Sequence, residues 1–360
     1  MKIIVFAGGV GTRLWPVSRK NTPKQFEKII GDKSTLEQTI ERLLSLYKPQ
    51  DIYIATGKRY ERIIKKQLSQ IPYSNFILEP EMRDVGPAIG LAASILAKKY
   101  GDEPLAILWS DHIVKNADVF KKILFLAEET IKRKQTHFIF LAQKPRFANQ
   151  NMGWIEVGDL KQKKNGVSVY LFKKLIYRPD LSDATLFYNN ENFVWNLGYF
   201  VTTPNYLCSL FKTFTPDMYV KLEEISQSYG STMFEKKLKL LYPTLEKISF
   251  DDAILVKMKP SNVLVISGDL GWSDVGAWES LKEALTESAN DNVTNGKVLL
   301  EESHDSLVFN YNDQLVVGID LNQMLVINTR DVLLVCPKTA VPKIKKLVES
   351  LSGTAHEHLA

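Results

Sequence analysis

From residue 1 to about residue 285, short apolar runs alternate with longer amphipathic ones, and few folds satisfy that pattern. Strands are predicted over 3–6, 52–56, 105–109 and 138–142. Helices are predicted between them. Ser34 and Glu37 have the spacing of a capping box that opens a helix towards Tyr47. Phe120, Ile123, Leu124, Ala127 and Ile131 make a stripe at helical spacing, and Pro87 suits the first turn of a helix running to Tyr100. The alternation implies an α/β fold with a mostly parallel, Rossmann-like sheet flanked by helices, whose ligands bind at the carboxyl ends of strands. A second batch of strands, 154–157, 167–172, 194–201 and 263–267, extends that sheet.

The texture changes after Ala289. The polar stretch NDNVTNG is followed by short apolar runs at 298–300, 307–310, 315–319, 324–328 and 332–336, separated by Asn, Asp and Gly. These suggest a small all-β module, and so two domains, 1–288 and 289–360. Residues 338–351 read as a terminal amphipathic helix with Val341, Ile344, Leu347, Val348 and Leu351 on one face. That face either docks on its own domain or meets a second subunit, which makes a homodimer one expectation.

The balance of 46 basic to 41 acidic residues leaves a net charge of +5, spread along the chain. It argues for neither a nucleic-acid nor a membrane partner. Cys208 and Cys336 are too far apart for a metal or redox motif and read as structural thiols in a reducing compartment. The N-terminal run IIVFA is too short for a signal-peptide core, and no apolar stretch approaches the length of a membrane span. A cytoplasmic location is the expectation.

The chemistry concentrates in a few stretches. Gly8, Gly9 and Gly11 follow the first strand, and Arg13, Arg19, Lys20 and Lys24 come next, with no acidic residue before Glu27. A glycine turn lets backbone N–H groups approach an anion, and the cations supply charge to hold it. The stretch reads as a polyphosphate cradle. It is not a Walker A loop, and Leu14 stands where a dinucleotide fingerprint needs its third glycine. Pro16 and Pro23 instead break up a long irregular loop, a form that is usually functional. Arg13 offers a planar fork for two phosphate oxygens and Lys24 a compact charge. Arg19 and Lys20 read as solvated surface.

In LAILWSDHIV, Asp111 falls just past a strand end, as either a Mg²⁺ ligand or a helix cap, and His112 reads as a packed, hydrogen-bonded histidine. In GWSDVGAW, Asp274 follows another strand. Two carboxylates meeting over a phosphate cradle make a Mg²⁺ site suited to phosphoryl or nucleotidyl transfer, which needs alignment and charge neutralisation more than covalent help.

The motifs AGGVGTRLWPVSR…PKQF, EPEMRDVGPAIGLAA, SDHIV, NMGWIEVG, FVWNLGYF and WSDVGAW, in this order, resemble the mannose-1-phosphate guanylyltransferases, in the short bacterial form without a fused isomerase domain. The likeness runs through LVVGIDLNQMLVINTRDVLLVCPK and so over nearly the whole chain. It implies a nucleotidyltransferase-type α/β domain followed by a short left-handed β-helix, and the making of GDP-mannose and pyrophosphate from GTP and mannose 1-phosphate. By that resemblance Gly8, Gly9, Gly11, Thr12 and Arg13 hold the GTP phosphates, Lys24 stabilises the reacting α-phosphate, and Asp111 and Asp274 hold Mg²⁺. Glu79, Arg83, Pro87 and Ala88 line the guanine end. Gly153 and Asn196 contact the sugar, Arg178 keeps a positive charge near its phosphate, and Asp251 is retained in its pattern. Dimers are usual in such enzymes.

The chain also departs from the family. LIYRP stands where FVEKP is usual, so Tyr177 replaces a carboxylate expected to bind sugar hydroxyls. SFDDAILV stands for SIDYAVME, so Val256 replaces a glutamate. A site that loses groups bonding a hydroxyl loses discrimination, so two alternatives stand beside the mannose reading. One is the same chemistry on another sugar 1-phosphate, such as a manno-heptose. The other is a non-catalytic homologue that binds a GDP-sugar and regulates a partner.

Overall fold

A computed structural model describes residues 1–360 except Val10, Glu287, Ala289 and the side chain of Thr12. The chain groups into two compact units. One comprises Met1–Gly8, Arg42–Trp109 and Lys115–Leu270; the other comprises Gly9–Glu41, Ser110–Val114 and Gly271–Ala360.

The first unit is built on a nine-stranded sheet in the order Phe76–Glu79, Ile52–Gly57, Lys2–Phe6, Leu105–Trp109, Phe193–Thr202, Phe138–Gln143, Val263–Gly268, Val167–Tyr177, Gly153–Lys164. Ile3, Ile4 and Val5 are fully buried. Branched side chains favour the extended backbone, and an unbroken apolar run suits a strand covered on both faces. Pairing is parallel among the first four strands and between Phe138–Gln143 and Val263–Gly268. Phe193–Thr202 enters antiparallel to both its neighbours, as do Val167–Tyr177 and Gly153–Lys164 to theirs, so the sheet is mixed. The last two strands are joined through Asn165 and Gly166, at φ 52° and 79°, the backbone a tight hairpin turn requires.

The helix Val85–Tyr100 begins with Asp84, whose carboxylate accepts from the Val85 N–H at 2.7 Å, and Pro87 lies in its first turn. The predicted stripe of Phe120, Ile123, Leu124, Ala127 and Ile131 is the buried face of Ala117–Lys132.

The second unit closes around Leu14, Trp15, Trp278, Phe309, Leu325, Ile327, Val341, Ile344 and Val348, among others. Each such side chain, fully buried, contributes about 1.5–3 kcal/mol. The capping box forms as expected. Ser34 N–H donates to Glu37 Oε2 at 2.7 Å, and Glu37 N–H to Ser34 Oγ at 3.2 Å. Strands Val293–Asn295, Leu307–Asn310 and Met324–Asn328 stack in parallel, as do Val298–Glu301 and Val316–Ile319. This is the stacking of a β-helix module. Asn328 Nδ2 donates to Asn310 Oδ1 at 3.0 Å, a ladder of like amides between successive coils.

The long N-terminal loop is tied to this module. Trp278 Nε1 donates to Trp15 O at 3.0 Å, Tyr311 OH to Ile29 O at 2.9 Å, and Trp15 Nε1 to Leu359 O at 2.7 Å. Arg19 grips Asp331 with both guanidinium ends, at 2.8 and 2.6 Å, so it is not the loose surface charge expected of it.

The predicted helix over 338–351 is a 3₁₀ turn, Lys338–Lys343, followed by Ile344–Ser350. Pro342 lacks the N–H that a continuous α-helix would need there. Val341, Ile344 and Val348 dock on their own unit, while Leu347 is exposed. Among the described residues no helix is long and apolar enough to cross a membrane.

Candidate active site

In the second unit the loop after the first strand is shaped by glycine. At Gly9, as at Gly8 in the first unit, nothing among the described residues lies within 4 Å of where a Cβ would stand. Gly11 has φ 67°, and a Cβ there would come 2.7 Å from Lys24 Cγ. Only glycine fits both the backbone and the neighbour. Gln25 Nε2 donates to Gly9 O at 2.9 Å and fixes the turn from behind. The side chain of Thr12 lies outside the described residues.

Lys24 is nearly buried, and its ammonium sits among three oxygens. Asp111 Oδ2 is 2.9 Å away, and Nζ donates to Val275 O at 3.1 Å and to Asp274 O at 3.3 Å. Burial alone would raise the Asp111 carboxyl, but the Lys24 ammonium overrides it and holds the group below the ordinary carboxylate range. Val275 adopts φ 41°, a strained conformation for a β-branched residue, and its carbonyl is one of those facing Lys24. A Cβ on Gly276 would lie 3.2 Å from Arg13 Nη2 and 3.3 Å from Asp274 Oδ2, so guanidinium and carboxylate flank the same open position.

Asp111 and Asp274 are brought together by a short antiparallel ladder in which Trp272 pairs with Val114 and Ser273 with Ile113. Beyond that pair the chains continue through His112 to Asp111 on one side and directly into Asp274 on the other. The structure thus gathers Gly9, Gly11, Arg13, Lys24, Asp111 and Asp274 within one unit.

The remaining predicted residues lie in the first unit. Gly153 pairs with Asn196 on one neighbouring strand and with Tyr177 on the other. A Cβ at Gly153 would lie 3.3 Å from Asn196, so a side chain there would push Asn196 aside by a few tenths of an ångström. Arg178, at φ 49°, carries its guanidinium over the Tyr177 ring at 4.9 Å. Burial pushes the Tyr177 hydroxyl up to about 12 and the Asp251 carboxyl up to about 6. Val256 is 41 % exposed.

Glu79 is buried, and Tyr242 OH donates to its Oε2 at 2.6 Å. Burial pushes its carboxyl up to about 7 against that hydrogen bond. Arg83 pairs with Glu81 at 3.0 Å, and its Nε is buried without a partner among the described residues. Pro87 and Ala88 are buried in the opening turn of their helix. Sequence reasoning missed Gln25 and Tyr242. Gln25 stood in the PKQF motif and could have been singled out, whereas nothing near Tyr242 in the chain points to Glu79.

A family profile described as nucleotidyl transferase matches residues 2–291. The chain is 31% identical to a mannose-1-phosphate guanylyltransferase 2 of Escherichia coli O157:H7, over 97% of this chain and 73% of the relative. It is 30% identical to the alginate biosynthesis protein AlgA of Pseudomonas aeruginosa, over 97% and 72%. A crystal structure described as a mannose-1-phosphate geranyltransferase from Thermus thermophilus superposes with a TM-score of 0.85 at 27% identity, covering 98% of this chain and 99% of that one. With its α/β fold and β-helix module, the chain belongs to the nucleotidyl transferase family, in its mannose-1-phosphate guanylyltransferase branch.

Proposed function

We propose that the protein makes GDP-mannose and pyrophosphate from GTP and mannose 1-phosphate. The observation that carries this reading is the Lys24 ammonium set between the two aspartate-bearing segments, 2.9 Å from Asp111 and bonded to the Asp274 carbonyl. A phosphate oxygen of the sugar phosphate attacks the α-phosphorus in line, the bond to the β-phosphate oxygen breaks, and pyrophosphate leaves. Gly8, Gly9, Gly11 and Thr12 offer backbone N–H groups to the triphosphate. Arg13 and Lys24 neutralise charge on the five-coordinate phosphorus and the leaving group. Glu79 and Arg83 bond the guanine edge, with Pro87 and Ala88 beside it. Asn196 and Asp251 bond sugar hydroxyls, Gly153 admits the ring, and Arg178 meets the sugar phosphate.

The residues suit a hard divalent cation. Among the described residues no three His, Cys, Asp or Glu side chains converge into a self-sufficient metal site. Mg²⁺ is typically held by one or two carboxylates together with substrate phosphates, and an ammonium already sits in an all-oxygen setting here. Asp111 and Asp274 would hold it. Bound there, it would add positive charge against the phosphates.

Pyrophosphate release from GTP, Mg²⁺ and mannose 1-phosphate tests the reaction, and release no greater than without the sugar phosphate sinks it. Asp274→Asn is expected to lower kcat about 10²–10³-fold with little change in melting temperature; an unchanged kcat removes Asp274 from the metal-holding pair.

A second reading changes only the sugar. Tyr177, stacked under Arg178 and paired with Gly153, stands in place of a carboxylate and favours a different hydroxyl pattern. A panel of sugar 1-phosphates compared by kcat/KM separates the two. We also infer a homodimer, supported by the exposed apolar row Leu299, Val317 and Ile319 on the β-helix module. Sedimentation that gives a monomer at micromolar concentration overturns it.

A further inference from the structure

We propose that His112 is a positioning residue for Asp111, held by Trp272 in the tautomer that turns an N–H towards that carboxylate. An indole nitrogen can only donate. Trp272 Nε1 lies 3.1 Å from His112 Nδ1, so Nδ1 is the acceptor and the proton of the neutral ring resides on Nε2. The two rings meet edge to face, 5.0 Å apart at 82°, which fixes the imidazole plane as well as its tautomer. Trp272 is itself immobilised. It is 3% exposed and pairs with Val114 in the short ladder that brings the two aspartates together.

His112 Nε2 then faces Asp111 Oδ1 at 3.8 Å, while Lys24 takes Oδ2 at 2.9 Å. The carboxylate is framed by two different donors. One is the Lys24 ammonium, the other an imidazole N–H fixed by a buried tryptophan. The His112 contact is longer than a hydrogen bond, and a carboxylate shift of about 1 Å closes it. When Lys24 turns to a phosphate, His112 keeps Asp111 facing the same way. Such outer partners set the orientation of a metal-holding group, and their loss commonly costs about 10–100-fold in metal affinity or activity. The inference rests on the metal-holding role proposed above for Asp111.

Two substitutions separate the ring's two jobs. In His112→Asn the amide oxygen can still accept from Trp272, but no donor reaches Asp111. In His112→Gln the amide nitrogen can stand where Nε2 stands. In the full-length enzyme held in excess over GTP and without sugar phosphate, Mn²⁺ binding followed by electron paramagnetic resonance is expected to weaken about tenfold in His112→Asn and to recover most of the loss in His112→Gln. The melting temperature stays put in both. In turnover, His112→Asn is expected to lower kcat about tenfold or more while the KM values for GTP and sugar phosphate stay within about twofold. A ¹⁵N-histidine spectrum, with His112 assigned by its absence from His112→Asn, is expected to show the Nε2–H tautomer in the parent and a mixture in Trp272→Phe. Equal Mn²⁺ binding in His112→Asn and the parent overturns the proposal, as does an equal loss in both variants or an Nδ1–H tautomer in the parent. Mn²⁺ binding and the ¹⁵N spectrum need no reaction, so a parent that releases no pyrophosphate would sink the guanylyl reading and leave these two readouts to judge His112.

Discussion

Asp111 in one unit and Glu79 in the other are acids that desolvation pushes the same way and whose partners oppose that push with unequal strength. For both, desolvation is the largest influence and favours the neutral form. Asp111 has the Lys24 ammonium at 2.9 Å, which holds its carboxyl below the ordinary carboxylate range. Among the described residues Glu79 is bonded by the Tyr242 hydroxyl at 2.6 Å, a dipole rather than a charge, and rises to about 7. A neighbouring charge keeps a desolvated acid ionised, whereas a neighbouring dipole does not suffice.

The largest effect is expected at Lys24. Lys24→Met leaves Asp111 desolvated without its cation, so Asp111 should come to resemble Glu79. Turnover should fall about 10²–10³-fold, and the pH–rate profile should gain an acidic limb at higher pH than the parent shows. Pyrophosphate release across the pH range checks this, and a variant with parental kcat would show that Lys24 takes no part.

Next comes Glu79. Its folded carboxyl, at about 7, lies above the ordinary 4.5, so the folded state binds more protons than the unfolded one between those values. Stability contributed at this position therefore falls as pH rises from about 4.5 to about 7 and levels off above, by at most about 3 kcal/mol. Glu79→Gln should remove that share of the decline, seen as a urea midpoint that drops less between pH 5 and 8 than the parent's, the remainder including Asp251. Asp111 works in the opposite sense, losing its contribution as pH falls.

The smallest effect is expected at Tyr177. Tyr177→Glu should change the ratio of kcat/KM between two sugar 1-phosphates about tenfold and leave the KM for GTP within about twofold. An unchanged ratio would take Tyr177 out of sugar choice.

The sequence made some of this legible through local rules. Branched runs such as Ile3–Ile4–Val5 announce a doubly covered strand, and Ser34 with Glu37 announces a helix start. Asp111 and Asp274 stood out because each follows an apolar run at a strand's end. What stayed hidden depends on pairing across the chain. Periodicity says that residues near 193–202 form a strand but not that it runs antiparallel to its neighbours. The hydroxyl that holds Glu79 comes from 163 positions away, and the indole that orients His112 from 160. Arg19 looked like loose surface charge because its partner, Asp331, is more remote still, 312 positions away. Polar pairs of this kind leave no repeat or spacing to read, since each is satisfied only once the fold exists.

The loop that begins at Gly9 has a foundation laid by the last part of the chain: Trp15 is packed beside Trp278, Phe309 and Ile344, and Ile29 is bonded by Tyr311. The β-helix module is therefore a poor candidate for an exchangeable appendage. A chimera spliced near residue 290 would carry its own N-terminal loop on a stranger's packing surface, and the defect would surface as failed catalysis in a protein whose large sheet had folded normally. For the same reason Leu14, Trp15 and the residues beneath them are expected to vary together among relatives, so that inheritance of the loop and of the module is a single event.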